Sequence, residues 1–146
     1  MKLTLHNHSN LPQEDLQPII DALRSNLINF NLSHYPGVKL LPILLIYTKD
    51  DGSLCGGLNG RIAWDWLHVE LLWVEESFRG KDYGRTLILE AEKFARQNEC
   101  IGTYLDTFSF QAPDFYLKLG YEVFGQIDNQ PPGYTRYFLK KVFQEP

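Results

Sequence analysis

Val74–Ala95 reads VEESFRGKDYGRTLILEAEKFA. An apolar run, VELLWV (69–74), leads into this stretch and a helical pattern, TLILEAEKFA (86–95), leads out. A strand and a helix are thus joined by glycines and a cluster of charges. A plain connector needs a turn and no particular charge. A phosphate cradle needs more: glycines that let the backbone approach, unpaired N–H groups at the positive end of a helix, and basic side chains. Gly80 and Gly84 supply the first requirement, and Arg79, Lys81 and Arg85 the last. Neither GxxxxGK[ST] nor GxGxxG occurs, however. From the loop alone, a solvated turn and a phosphate site both stand.

The 146 residues are enough for one domain, 1–146, with a hydrophobic core. A net charge of -4 argues against coating nucleic acid, which needs a basic face, and favours a cationic small molecule or peptide amine as partner. Cys55 and Cys100 show no CxxC or His-spaced pattern, so neither a disulfide framework nor a metal site is expected. MKLTLHNHSN lacks an apolar signal core, and no run approaches the roughly 18 apolar residues of a membrane helix. The expectation is a soluble, cytoplasmic protein without membrane partners; a homodimer is compatible with it.

Along the chain, KLTLHN (2–7) alternates like a short first strand. Leu16, Ile19, Ile20, Leu23, Leu27 and Phe30 then recur at helical spacing, with Asp15 as N-cap so that Pro18 falls in the first turn. SHYPG (33–37) ends that unit. LPILLIYT (41–48) and LCGGLNGRIAW (54–64) flank Asp51-Gly52 as a hairpin. DWLHVELLWV (65–74) is the longest strand, with Val69, Leu71 and Trp73 on one face, His68, Glu70 and Leu72 on the other, and both faces largely covered. After the loop, Leu87, Ile88, Ala91, Phe94 and Ala95 form a helical stripe, with Glu90, Glu92, Lys93, Arg96 and Gln97 mostly opposite. Strand IGTYLDTF (101–108), helix APDFYLKLG (112–120) closed by Gly120, and strands YEVFGQI (121–127) and GYTRYFLKKV (133–142) complete the order β α β β β α β α β β.

Two segments in this order resemble the GNAT superfamily of N-acetyltransferases. Arg79, Gly80 and Gly84 match its acetyl-CoA loop, Arg/Gln-x-x-Gly-x-Gly/Ala, after the fourth strand. Asp82 replaces the usual middle glycine; an Asp there can turn away from the diphosphate and cap the helix. Ala112, Tyr116, Gly120 and Tyr121 in APDFYLKLGYEVFG keep the spacing of a second family segment. Ser109 stands where the family commonly has an Asn three residues before that Ala.

The resemblance implies an α+β, mixed α/β fold. Its central sheet of about seven mostly antiparallel strands is flanked by helices and splayed between strands 4 and 5. Acetyl-CoA is the implied cosubstrate, without a metal. Backbone amides of Arg79, Gly80, Lys81, Asp82, Tyr83 and Gly84 would cradle the diphosphate, Arg85 would add positive field, and Leu72, Trp73 and Val74 would pair with the pantetheine arm. An amine of pKa about 10.4 is protonated at neutral pH, so attack on a thioester needs a proton acceptor. Glu70, where the family often uses a carboxylate, is the first candidate and His68 the substitute; Tyr116 matches the family's proton donor to the leaving thiolate. A surface Glu and a core Tyr are the competing structural readings. Tyr35, Trp64, Trp66, Asp106, Tyr134 and Arg136 are candidate acceptor-lining residues. A non-catalytic CoA-binding sensor or docking module on the same fold is the alternative, motivated by Asp82 and Ser109.

Overall fold

The computed structural model describes residues 1–6 and 13–143. It divides into two compact units, Met1–Val38 and Lys39–Pro146. In the first, helix α1 spans Gln13–His34. Asp15 lies inside this helix rather than at its N-cap, and Pro18 falls beyond the first turn. Asp21 accepts hydrogen bonds from Gln17 and Arg24, pairs at the three- and four-residue spacing that places side chains on one helix face. Residues 1–6 form no strand; Asn7 lies outside the described residues. An alternating pattern becomes a strand only when a neighbour takes its backbone hydrogen bonds, and the sheet therefore has six strands rather than about seven.

The second unit carries β1 (Leu41–Thr48), β2 (Leu54–Ala63), β3 (Trp66–Val74), α2 (Tyr83–Gln97), β4 (Gly102–Phe108), α3 (Pro113–Lys118), β5 (Glu122–Asp128) and β6 (Thr135–Val142). Sheet order is β1-β2-β3-β4-β6-β5. Every pairing is antiparallel except β3 with β4. The β1–β2 turn is built as its Asp-Gly pair predicts: Gly52 takes φ +84° and the Asp51 carboxylate accepts from the N–H and hydroxyl of Ser53. Leu87, Ile88, Ala91 and Ala95 of α2 pack on one sheet face with Ile43, Leu58, Ile62, Leu67 and Val69.

A β-bulge in β3 decides what each face carries. Gly60 pairs with Val69 and Asn59 with Leu71, so Glu70 is an extra residue without an opposite number. Alternation reverses there. Leu67 and Val69 are core, and after the bulge Leu72 and Val74 join them, while Leu71 and Trp73 turn to the other face and are 66% and 47% exposed. The regular alternation expected from DWLHVELLWV thus fails at one residue. Gly60, opposite the bulge, has no room for a side chain: a Cβ there would lie 2.5 Å from the His68 carbonyl oxygen. Gly60→Ala is expected to destabilise the fold by about 1–3 kcal/mol, read as a lower Tm; an unchanged Tm would mean the ladder relaxes freely.

The same segment opens the sheet. β3 and β4 are in register only over Trp66–His68 against Gly102–Tyr104, at one end. That end is held by the close approach of the Trp66 ring to Gly102 and by His68 stacked on Tyr104, with ring centroids 4.5 Å apart and planes within 2°. The bulge follows immediately after the last paired residues and bends β3 away. The opening between strands 4 and 5 of the sequence order is therefore the opening between β3 and β4.

Candidate active site

The loop between β3 and α2 starts as a short 3-10 turn, Glu76–Phe78. Arg79 Nε donates to the Val74 carbonyl at 2.9 Å, tying the loop to the end of β3. Gly80 takes φ +72°, the left-handed region that glycine occupies without strain. Among the described residues, no backbone acceptor is found for the N–H groups from Gly80 to Arg85; the first to be paired is Thr86, to the Asp82 carbonyl at 2.9 Å. A run of free amides at the start of a 15-residue helix is what a diphosphate requires. Asp82 is the residue before the helix, but with φ +62° its carboxylate makes no capping bond; its carbonyl instead accepts from the Thr86 hydroxyl. The side-chain cap expected at Asp82 is thus absent. Gly84 faces α3, where an added Cβ would meet the Phe115 ring at 3.4 Å.

Behind the loop, β3 and β4 part, and His68, Glu70 and Asp106 lie on these two strands. Beyond His68, β4 offers β3 no partner, which leaves the edge of β3 at Leu72, Trp73 and Val74 open to an extended ligand. On the β3 side, the Glu70 carboxylate accepts from Asn59 Nδ2 at 3.0 Å, pairs with Arg61 Nε at 3.2 Å, and lies 3.8 Å from His68 Nδ1. His68 Nδ1 is buried and has no hydrogen-bond partner among the described residues. Its burial lowers the imidazole pKa below the usual value, an effect the Glu70 carboxylate opposes. On the β4 side, Asp106 is clasped by Arg136, whose Nε and Nη2 both lie 2.7 Å from one oxygen. Tyr116 is buried between Phe115 and Tyr121, and burial, reinforced by the charge of Asp106, pushes its phenol up to about 12. The charge of Asp106 reaches both His68 and Tyr116 and raises the pKa of each.

A family model described as the Acetyltransferase (GNAT) family matches residues 15–121. The chain belongs to the GNAT family. Over 91 residues it is 47% identical to a blasticidin-S acetyltransferase of Streptomyces morookaense, covering 62% of this chain and 67% of the relative. A crystal structure of an acetyltransferase from Bacillus cereus superposes with a TM-score of 0.81 at 30% identity, over 97% of this chain and 98% of that one. An aminoglycoside 6'-N-acetyltransferase solved with coenzyme A shares the fold at 20% identity and a TM-score of 0.62, over 72% of this chain and 75% of that one. This GNAT chain is accordingly an acetyl-CoA-dependent acetyltransferase.

Not every candidate of the GNAT chain comes to the cleft. Trp64, with Asp65, makes the tight turn between β2 and β3, both at positive φ, at the end where β3 and β4 are closed. Trp66 is in the paired part of β3 beside Gly102. Tyr35 belongs to the first unit. Tyr134 packs edge-on against Phe110, which stacks on Phe108, and Arg136 lies over the Phe108 ring, 5.5 Å from its centre. The Ser109 hydroxyl accepts from the Thr135 N–H, and the Ser109 N–H donates to the Thr135 carbonyl, so this residue ties β4 to β6. Asn59, Arg61 and Tyr104, which hold Glu70 and His68, were not singled out from the sequence: their partners are set by strand register, which no local pattern encodes. Glu92, expected on the open face of α2, is instead 4% exposed and held by Lys141 at 2.8 Å. Its position at i+4 from Ile88 puts it at the margin of the buried stripe. Among the described residues no helix is long and apolar enough to cross a membrane.

Proposed function

We propose that the chain transfers the acetyl group of acetyl-CoA to an amine of a small molecule or peptide, by direct attack within a ternary complex. The observation that carries this reading is the parting of β3 and β4 beyond His68, with Glu70 and His68 on β3 and, on β4, Asp106, whose charge reaches both His68 and Tyr116. The amides of Gly80 to Arg85 would bind the diphosphate, with Lys81 and Arg85 adding positive field, and the open edge of β3 would hold the pantetheine arm. Acetyl-CoA supplies the acetyl group as a thioester. A backbone N–H on the edge of β3 would donate to the thioester oxygen as it gains negative charge. Glu70 takes the proton that the ammonium must lose, directly or through water, with His68 as the alternate acceptor. Tyr116 keeps its proton at all ordinary pH and delivers it to the departing sulfur. Asp106 and Glu70 are already paired with Arg136 and Arg61, so they do not by themselves select a cation; the relative named for blasticidin-S supports a small-molecule amine.

The test is thiol release from acetyl-CoA on addition of a panel of amines, with mass detection of acetylated product. Binding without stimulated release by any amine would favour the CoA-binding module instead. Placement of the cofactor is tested separately by Gly84→Val, which should weaken coenzyme A binding about tenfold or more, because a branched side chain at this position crowds the helix start where the diphosphate would lie. Calorimetry showing unchanged affinity would refute that placement; a melting curve would register any loss of fold.

A further inference from the structure

Glu70 on β3 and Asp106 on β4 are each paired with an arginine, and the two pairs are built differently. Arg136 closes on Asp106 with two nitrogens at 2.7 Å, and its guanidinium also lies over the Phe108 and Phe138 rings, 5.5 and 5.4 Å from their centres. Two charge-assisted contacts and two aromatic faces fix that cation. Arg61 reaches Glu70 through Nε alone, at 3.2 Å, and its side chain is 62% exposed. A single-point pair this open to solvent is screened by water and salt and holds weakly.

Glu70 does not depend on Arg61 for its place. Its Oε2 accepts from Asn59 Nδ2 at 3.0 Å, and the bulge opposite Gly60 fixes its backbone. Oε1 is the oxygen that faces Arg61 Nε, with His68 Nδ1 3.8 Å away on its other side. One carboxylate oxygen is thus held by a neutral donor, and the other by a cation that can leave. An ammonium arriving there exchanges one positive partner for another. The carboxylate is at no point left without a counter-charge, so the exchange carries none of the penalty of a stranded ion.

We infer that Arg61 occupies, on Oε1 of Glu70, the place that the ammonium of the acceptor takes, so that the acceptor is an amine that arrives as a cation and displaces the guanidinium. The inference rests on Glu70 being the proton acceptor. Displacement puts the ammonium N–H against the oxygen that receives its proton, while Asn59 keeps the carboxylate in position. Arg61 acts on specificity: it competes for the site, and only an amine that holds Glu70 better than a solvent-exposed guanidinium enters. Asp106, with its cation fixed, offers no such exchange.

Steady-state kinetics of wild type, Arg61→Gln and Arg61→Lys, with the panel amine that wild type acetylates fastest, test this. Arg61→Gln should lower the KM of that amine about two- to fivefold at low salt, the contribution of one exposed pair. The gain should fade as salt is raised. Arg61→Lys, which keeps a competing cation, should keep the wild-type KM. Millimolar guanidinium chloride should raise the KM again in Arg61→Gln and hardly affect wild type. A residue that merely steadied Glu70 would behave otherwise: its loss would lower kcat, and guanidinium would restore the rate. That pattern, or an unchanged KM in Arg61→Gln, would overturn the inference. Glu70→Gln is assayed alongside. If it loses turnover while Arg61→Gln keeps the wild-type KM, the inference alone falls. If Glu70→Gln turns over normally, or no amine is acetylated, the reading of Glu70 as proton acceptor falls and the inference with it.

Discussion

Tyr116→Phe is expected to slow acetyl transfer by about a hundredfold or more, with Tm nearly unchanged. The substitution removes one oxygen and keeps the ring that packs against Phe115 and Tyr121. With the phenol pushed up to about 12 by burial, Tyr116 stays protonated around neutral pH, so its proton is available and no loss of rate in the neutral range should come from its ionisation. Protonation of the leaving sulfur matters less when the thiol is more acidic. An acyl donor with such a thiol should therefore recover part of the rate lost in Tyr116→Phe. A variant that melted early would support a purely packing role. Normal stability with normal turnover would remove Tyr116 from the mechanism.

Glu70→Gln is expected to lower turnover by about a hundredfold or more at pH values where the acceptor amine is protonated, and progressively less as that amine becomes neutral. Coenzyme A affinity should scarcely change. The structure adds a second arm to the test, because His68 Nδ1 lies 3.8 Å from the same carboxylate. Burial already lowers the His68 pKa; without the Glu70 charge, which raises it, the imidazole should titrate lower still. If His68 is the acceptor, the acid limb of the rate profile should move to lower pH in Glu70→Gln with little change in the plateau. A profile scaled down equally at every pH would show that Glu70 is not the base.

The elements were legible because their signals are local. Asp51-Gly52 between apolar runs makes the β1–β2 turn, Gly120 closes α3 at φ +88°, and the stripe Leu87, Ile88, Ala91 and Ala95 faces the core. Arg79, Gly80 and Gly84 pointed to the glycine loop, and spacing alone placed Tyr116 on the last helix. Glu92 went wrong because helical spacing does not say how wide the buried stripe is; Lys141, 49 positions away, makes its burial tolerable by supplying the opposite charge.

What the sequence by itself determined is a strand running into a glycine loop at a helix start, followed by a helix bearing a tyrosine at the family's spacing. The tertiary structure decided how the cleft is formed and furnished. One unpaired residue, Glu70, reverses the faces of β3, which turns Leu71 and Trp73 outward and brings Leu72 and Val74 into the core. Pairing that stops at His68 leaves the strand edge free, and register delivers Arg61 and Asn59 to Glu70 and Arg136 to Asp106. Ladder register depends on contacts between residues distant in the chain, and a slip of one position exchanges the faces of a strand, so no window of sequence contains it.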